Sequence, residues 1–114
     1  MTDDLLQVST EKVGDSATVL TVRGELDRDS MHILGAAADA ALDAGATRLV
    51  LALGGLSFCD SSGLRLFVEM HKRAADRGAA LHLAELRPTV ATIIQVVNLD
   101  RMLALHSTVQ DAIG

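Results

Sequence analysis

Residues 57–64 read Ser-Phe-Cys-Asp-Ser-Ser-Gly-Leu. A thiol, a carboxylate and two hydroxyls stand side by side from Cys59 to Ser62, and they offer three kinds of chemistry. A serine is a nucleophile when a positioned base takes its proton. It is a helix cap when its oxygen accepts from the first free N–H groups. It is a modification site when it takes a phosphate, which adds about −1.5 to −2 charge and three acceptor oxygens. The nucleophile finds little to work with. No G-x-S-x-G elbow is present. The histidines, His32, His71, His82 and His106, lack metal-ligand spacing. His71 falls on an apolar helical face and is expected to pack inward with one nitrogen hydrogen-bonded. Cys59, at an apolar strand end beside Asp60, is expected to have a raised pKa and an inert thiol. "GAAADAALDAG" is an alanine-rich helix and not a phosphate loop. The cap and the modification site both stay open on the residues alone.

The elements that must hold this stretch follow from periodicity and punctuation. "LLQVSTEKV" and "ATVLTVRG", separated by "GDS", predict a hairpin over Leu5–Lys12 and Ala17–Arg23. Asp29 or Ser30 caps a helix with Leu34, Ala37, Ala38, Ala41 and Leu42 on its inner face, and Gly45 stops it. Arg48–Leu53 is a short apolar run of the kind found in a central strand. "GGLSFCD" then leads into a second helix, Ser62–Arg77. Its core stripe is expected to be Leu64, Phe67, Val68, His71, Ala74 and Ala75, with Gly78 as its stop. "ALHLAE" is a strand. A third helix starts at Pro88, carries Val90, Ile93, Ile94 and Val97 inward, and ends at Asn98. A short strand near Leu103–Leu105 and a last helix capped by Ser107 or Thr108 complete the chain. The order ββαβαβα predicts a single α/β domain over 1–114, with a mixed central sheet of about four to five strands packed with about four helices. Right-handed crossovers are expected through the second helix.

Composition narrows the functions available. The 114 residues are 49% hydrophobic, enough for a real core in one domain. Ten Lys and Arg against 15 Asp and Glu give a net charge of −5, a poor match to nucleic acid or an anionic membrane. Phe58 and Phe67 are the only aromatic residues, so base-stacking platforms are missing. One cysteine forms no internal disulfide. "MTDDLLQVST" lacks the features of a signal peptide, and "LVLALGGLSF" is too short to span a bilayer. These point to a cytoplasmic protein with no cofactor or metal of its own.

Where the second helix meets a partner can also be read from its periodicity. Leu66 and Met70 lie away from the expected core stripe, and Arg73 and Arg77 continue that flank. An apolar pair followed by arginines has the composition of a binding patch. Asp60, Asp27 and Glu25 would surround a phosphate on the serine pair with negative charge, so a partner docked there would be repelled while the domain stayed folded.

Four features resemble the STAS domain family, and within it the bacterial anti-sigma factor antagonists: "VRGELD" (Val22–Asp27), "LVLALGGLSFCDSSGL" (Leu49–Leu64), "RPTVATIIQVVNLDRML" (Arg87–Leu103), and the spacing between them. The resemblance covers nearly the whole chain. It implies a protein that binds an anti-sigma factor serine kinase of the histidine-kinase-like ATPase fold and thereby frees a sigma factor. The kinase then phosphorylates the first serine of the DSSG motif, here Ser61, and a PP2C-type phosphatase reverses the step. Asp60 and Asp27 match acidic positions bordering that serine, with Ser62 and Gly63 completing the motif. ATP and Mg²⁺ belong to the kinase. Ala52 stands where many relatives carry Asp or Asn, which implies one polar group fewer near the serine. Other STAS domains are interaction subunits of regulatory or transport complexes, a role that needs no phosphate.

Overall fold

The computed structural model describes residues 6–114. The elements are β1 (Leu6–Val13), β2 (Ala17–Leu26), α1 (Met31–Asp43), β3 (Arg48–Cys59), α2 (Ser61–Asp76), β4 (Ala80–Ala84), α3 (Pro88–Val96), β5 (Ala104–His106) and α4 (Val109–Ile113), with a 3₁₀ turn at Leu99–Arg101. The expected start of β1 at Leu5 lies outside the described residues.

The sheet is mixed, as patterning implied. β1 and β2 form the antiparallel hairpin, turning through Gly14 at φ 67°. The other three pairings, β2 with β3, β3 with β4 and β4 with β5, are parallel, and the five strands lie side by side in chain order. Pro88 occupies the first turn of α3, and Asn98 takes the left-handed conformation at φ 64° just beyond it. Thr108 caps α4 by accepting from the Asp111 N–H at 3.0 Å. At α1 the expectation shifts. Ser30 is in the cap position but makes no side-chain cap bond, and Asp27 organises the turn instead. The Asp27 Oδ1 atom accepts from the N–H groups of Asp29 and Ser30, both at 3.0 Å.

One face of the sheet carries nearly all the core. Leu20, Val22, Leu49, Leu51, Leu53, Leu81 and Leu83 point to it and meet Leu34 of α1, Phe67 and Met70 of α2 and Ile94 of α3. The opposite face has a small cluster, Val19, Val50, Ala52 and Ala84, covered by Ala112 of α4. Ala52 therefore packs under α4, on the face opposite α2. A polar group at this position would stand there and not beside the serines.

Polar side chains also secure α4. Arg48 Nη1 donates to the Ala112 carbonyl at 2.9 Å and lies 3.2 Å from His82 Nε2. His82 Nδ1 lies 2.9 Å from His106 Nε2. Because an arginine only donates, His82 accepts on Nε2 and donates from Nδ1 to His106. Burial, then Arg48, then His106 lower the His82 pKa, since each disfavours a second positive charge there.

Three elements depart from their sequence reading. α3 buries Val90 and Ile94 but leaves Ile93 and Val97, both expected to face inward, exposed. β3 does not stop at Leu53. It pairs with β2 as far as Leu26↔Cys59, through register shifts at Thr21/Arg23 and Gly24/Glu25. Gly54 and Gly55 are points of close approach inside a strand. A Cβ on Gly55 would lie 2.7 Å from Arg23 Cγ. In α2 the buried residues are Gly63, Leu66, Phe67, Met70 and Ala74, whereas Leu64, Val68 and His71 are half-buried and Ala75 is exposed. The inward face is about a quarter of a turn from the expected stripe, at 100° per residue. His71 has no hydrogen-bond partner among the described residues and is not a core histidine.

Candidate functional site

Beyond Ala52 in β3 the β4 strand no longer follows, and β2 and β3 continue as a two-stranded ribbon to Cys59. The ribbon delivers Asp60 to the start of α2. The Asp60 N–H still donates to the Leu26 carbonyl at 3.2 Å, so the cap is fixed to the end of the sheet. Its carboxylate caps the helix. Oδ1 accepts from the N–H of Ser62 at 2.9 Å and of Gly63 at 3.1 Å. Capping thus falls to the aspartate, and neither serine hydroxyl has a protein partner among the described hydrogen bonds.

Gly63 sits where only glycine fits. A Cβ there would lie 2.6 Å from Cys59 Sγ and 2.9 Å from the Leu26 side chain. The first turn of α2 rests directly on the strand ends, and the Cys59 thiol is sealed beneath it. Burial, and secondarily the Asp60 charge, push that thiol up to about 12, in line with an inert sulfur.

The two serines face different surroundings. Ser62 joins Asp27, Arg28, Asp29 and Asp60 around an acidic recess. Ser61 is exposed and lines an apolar cleft with Leu64, Arg65 and Val68 of α2 and with Val97 and Leu99 beyond α3. Val96 and Val97, 74% and 49% exposed, extend the apolar surface. Of the residues singled out from sequence, Asp27, Asp60, Ser62 and Gly63 converge here. Glu25 is exposed on β2 opposite Phe58 and does not line the recess.

The expected partner flank is corrected. Leu66 and Met70 are 3% and 1% exposed and belong to the core. Arg73 and Arg77 are exposed but turned toward α1, where Arg73 pairs with Asp39 at 3.1 Å and Arg77 with Asp43. What that flank meets is the chain's own first helix. The accessible apolar face of α2 is the Leu64–Val68 side, which the helical period alone places in the core. Arg28, Arg65, Val97 and Leu99 were not anticipated. The adjacent valines at the end of α3 were their only sequence signal.

A mixed sheet with its main helical layer on one face, ending in an exposed serine on a carboxylate-capped helix, defines a STAS-type α/β domain. The model of the Mlab, STAS domain family matches residues 9–105, and the chain belongs to that family. Solved structures agree. An anti-sigma factor antagonist from Mycobacterium paratuberculosis is similar at a TM-score of 0.84 and 23% identity, over 95% of this chain and 91% of that one. The anti-sigma factor antagonist SpoIIAA in its unphosphorylated form gives 0.80 and 26%, over 94% and 93%. The Bacillus cell fate determinant SpoIIAA in the phosphorylated form gives 0.73 and 24%, over 94% and 96%.

Proposed function

We propose that this domain is an anti-sigma factor antagonist whose unphosphorylated form binds an anti-sigma factor serine kinase in the cytoplasm, and that phosphorylation of Ser61 ends the binding. The observation that carries the reading is the position of Ser61, exposed at the edge of an apolar cleft on a helix whose cap is supplied by Asp60. The fold does not use this hydroxyl, so it is free to be modified. In the reaction the γ-phosphoryl group of ATP moves to Ser61 Oγ. The bond from the γ-phosphorus to the bridging oxygen breaks, ADP leaves, and the hydroxyl proton passes to a base on the kinase. A PP2C-type phosphatase returns the serine by hydrolysis. The new charge stands beside the Asp60 carboxylate and at the mouth of the cleft, where a docked partner would have to desolvate it.

The kinase surface in this reading is Leu64, Val68, Val97 and Leu99. Incubation with the candidate kinase and ATP is expected to add one phosphate by intact mass, mapped to Ser61. Val68→Asp is expected to weaken kinase binding at least tenfold, about 1.4 kcal/mol, with little change in melting temperature. Phosphate on Ser62 alone, or equal affinity of the phosphorylated and unmodified proteins, sinks the switch. Binding that is indifferent to any change at Ser61 would favour the alternative, an interaction subunit that is never phosphorylated.

A further inference from the structure

A phosphate on Ser61 would find two of the usual anion donors of a helix start already taken. The N–H groups of Ser62 and Gly63 both point at Asp60 Oδ1, so the phosphate meets a carboxylate where free donors would otherwise greet it. The acidic recess on the other side, with Asp27, Asp29 and Asp60, offers no relief. Further compensation comes from a cationic side chain, and the arginines differ in what is left to them; Arg23 and Arg101 are exposed but line neither the cleft nor the recess. Arg48 is held by His82 and the Ala112 carbonyl, Arg73 by Asp39, Arg77 by Asp43, and Arg87 donates to the Gly54 carbonyl at 2.7 Å. Arg28 borders the acidic recess. Arg65 is exposed, makes no polar contact among the described residues, and lines the same cleft as Ser61. It is also four residues further along α2, so the two side chains are neighbours across one turn. Their order, anion before cation, is the favourable one.

We propose that Arg65 receives the phosphate of Ser61 within the same molecule, and that in doing so its guanidinium is drawn across the cleft formed by Leu64, Val68, Val97 and Leu99. The proposal rests on the reading of Ser61 as the modified residue and adds how the modification acts. A neutral hydroxyl leaves Arg65 mobile and the cleft open. A phosphate offers the guanidinium fork up to two parallel hydrogen bonds and fixes it over the apolar surface. Negative charge and a physical cover arrive together. An Asp or Glu at position 61 has less charge and fewer oxygens, so it reproduces the cover poorly.

The test uses the whole chain with phosphoserine placed at position 61 by genetic encoding, so no kinase is needed. The second ionisation of the phosphate is followed by ³¹P NMR titration in the parent, Arg65→Gln, Arg65→Lys and Arg28→Gln proteins. The expected result is a pKa below the ordinary phosphoserine value in the parent, raised by a few tenths of a pH unit in Arg65→Gln, partly restored in Arg65→Lys and unmoved in Arg28→Gln. Methyl resonances of Leu64 and Val68 should shift on phosphorylation in the parent and not in Arg65→Gln. Identical titrations for the parent and Arg65→Gln, or a larger effect from Arg28→Gln, overturn the proposal. The two readings fail separately. Loss of kinase binding on phosphorylation that persists in full in Arg65→Gln, without the pKa difference, removes Arg65 alone. A normal pKa difference with no loss of kinase binding removes the switch and leaves the pairing standing.

Discussion

β3 carries polar chemistry at both ends, and the two ends treat it in opposite ways. At its first residue, Arg48 is consumed. Its guanidinium, His82, His106 and the Ala112 carbonyl form a chain of hydrogen bonds that fastens the last helix to the sheet. Past its last residue, Asp60 is consumed by the cap, but the serines that follow keep their hydroxyls for solvent or a partner. The first end is a closed circuit whose value lies in stability. The second is a finished scaffold with one group left over. An exposed polar residue is informative about function when the structure around it is already satisfied without it.

The contrast can be broken or sharpened by substitution. The largest effect is expected in the core, on the buried face of the helix that begins at the open end. Met70→Asp puts a carboxylate into the core and should unfold the domain, seen as loss of the folded circular dichroism spectrum. Met70→Ala should cost about 2–5 kcal/mol in urea melts. A Met70→Asp protein that melts normally would return Met70 to the surface and undo the placement of α2.

At the closed end, Arg48→Ala strands the Ala112 carbonyl and breaks the chain of bonds, for about 1–3 kcal/mol. The same circuit makes the fold acid-sensitive. His82 has a folded pKa below its unfolded value, so at pH well above about 6.5 the ring is neutral in both states and costs nothing. As the pH falls below that value the unfolded chain takes up a proton that the folded chain resists, and stability drops. His82→Gln should flatten that decline between about pH 7 and about pH 5. An unchanged slope would mean that the circuit is not what acid attacks.

Smaller effects separate the two residues at the helix start. Asp60→Ala removes the cap and should cost about 1 kcal/mol. Ser61→Ala should stay within about 0.5 kcal/mol of the parent. A Ser61→Ala protein destabilised as much as Asp60→Ala would make the hydroxyl a structural group and end the contrast.

Much of this architecture was legible in the sequence because local signals and tertiary demands agree. Pro88, Asn98 and Thr108 mark boundaries that backbone chemistry alone enforces, and the turn at Gly14 separates two runs rich in β-branched and apolar residues. The failures occurred where a local signal fitted two answers. α2 has apolar residues at 64, 66, 67, 68 and 70, which supports two stripes with the same spacing. Which one turns inward is decided by how the β2–β3 ribbon delivers Asp60, and no helical period contains that. Gly54 and Gly55 read as a strand end, yet strand pairing carried the ladder through them. The serine site itself was legible as a motif. Its cleft was not, because Val97 and Leu99 reach it only through the fold. His82 and His106 are brought together by register between two strands, which pattern alone does not reveal.

The chain-order arrangement of the sheet has a kinetic consequence. Each strand pairs with the one before it in sequence, and no later strand inserts between two earlier ones. Loop-closure entropy is therefore met in modest instalments, with the Gly14 hairpin as the most local step. A nascent chain leaving the ribosome can add β3 to a formed hairpin, then β4, then β5, without waiting for its own C-terminus. At every stage the unpaired edge awaiting its neighbour belongs to the strand most recently made.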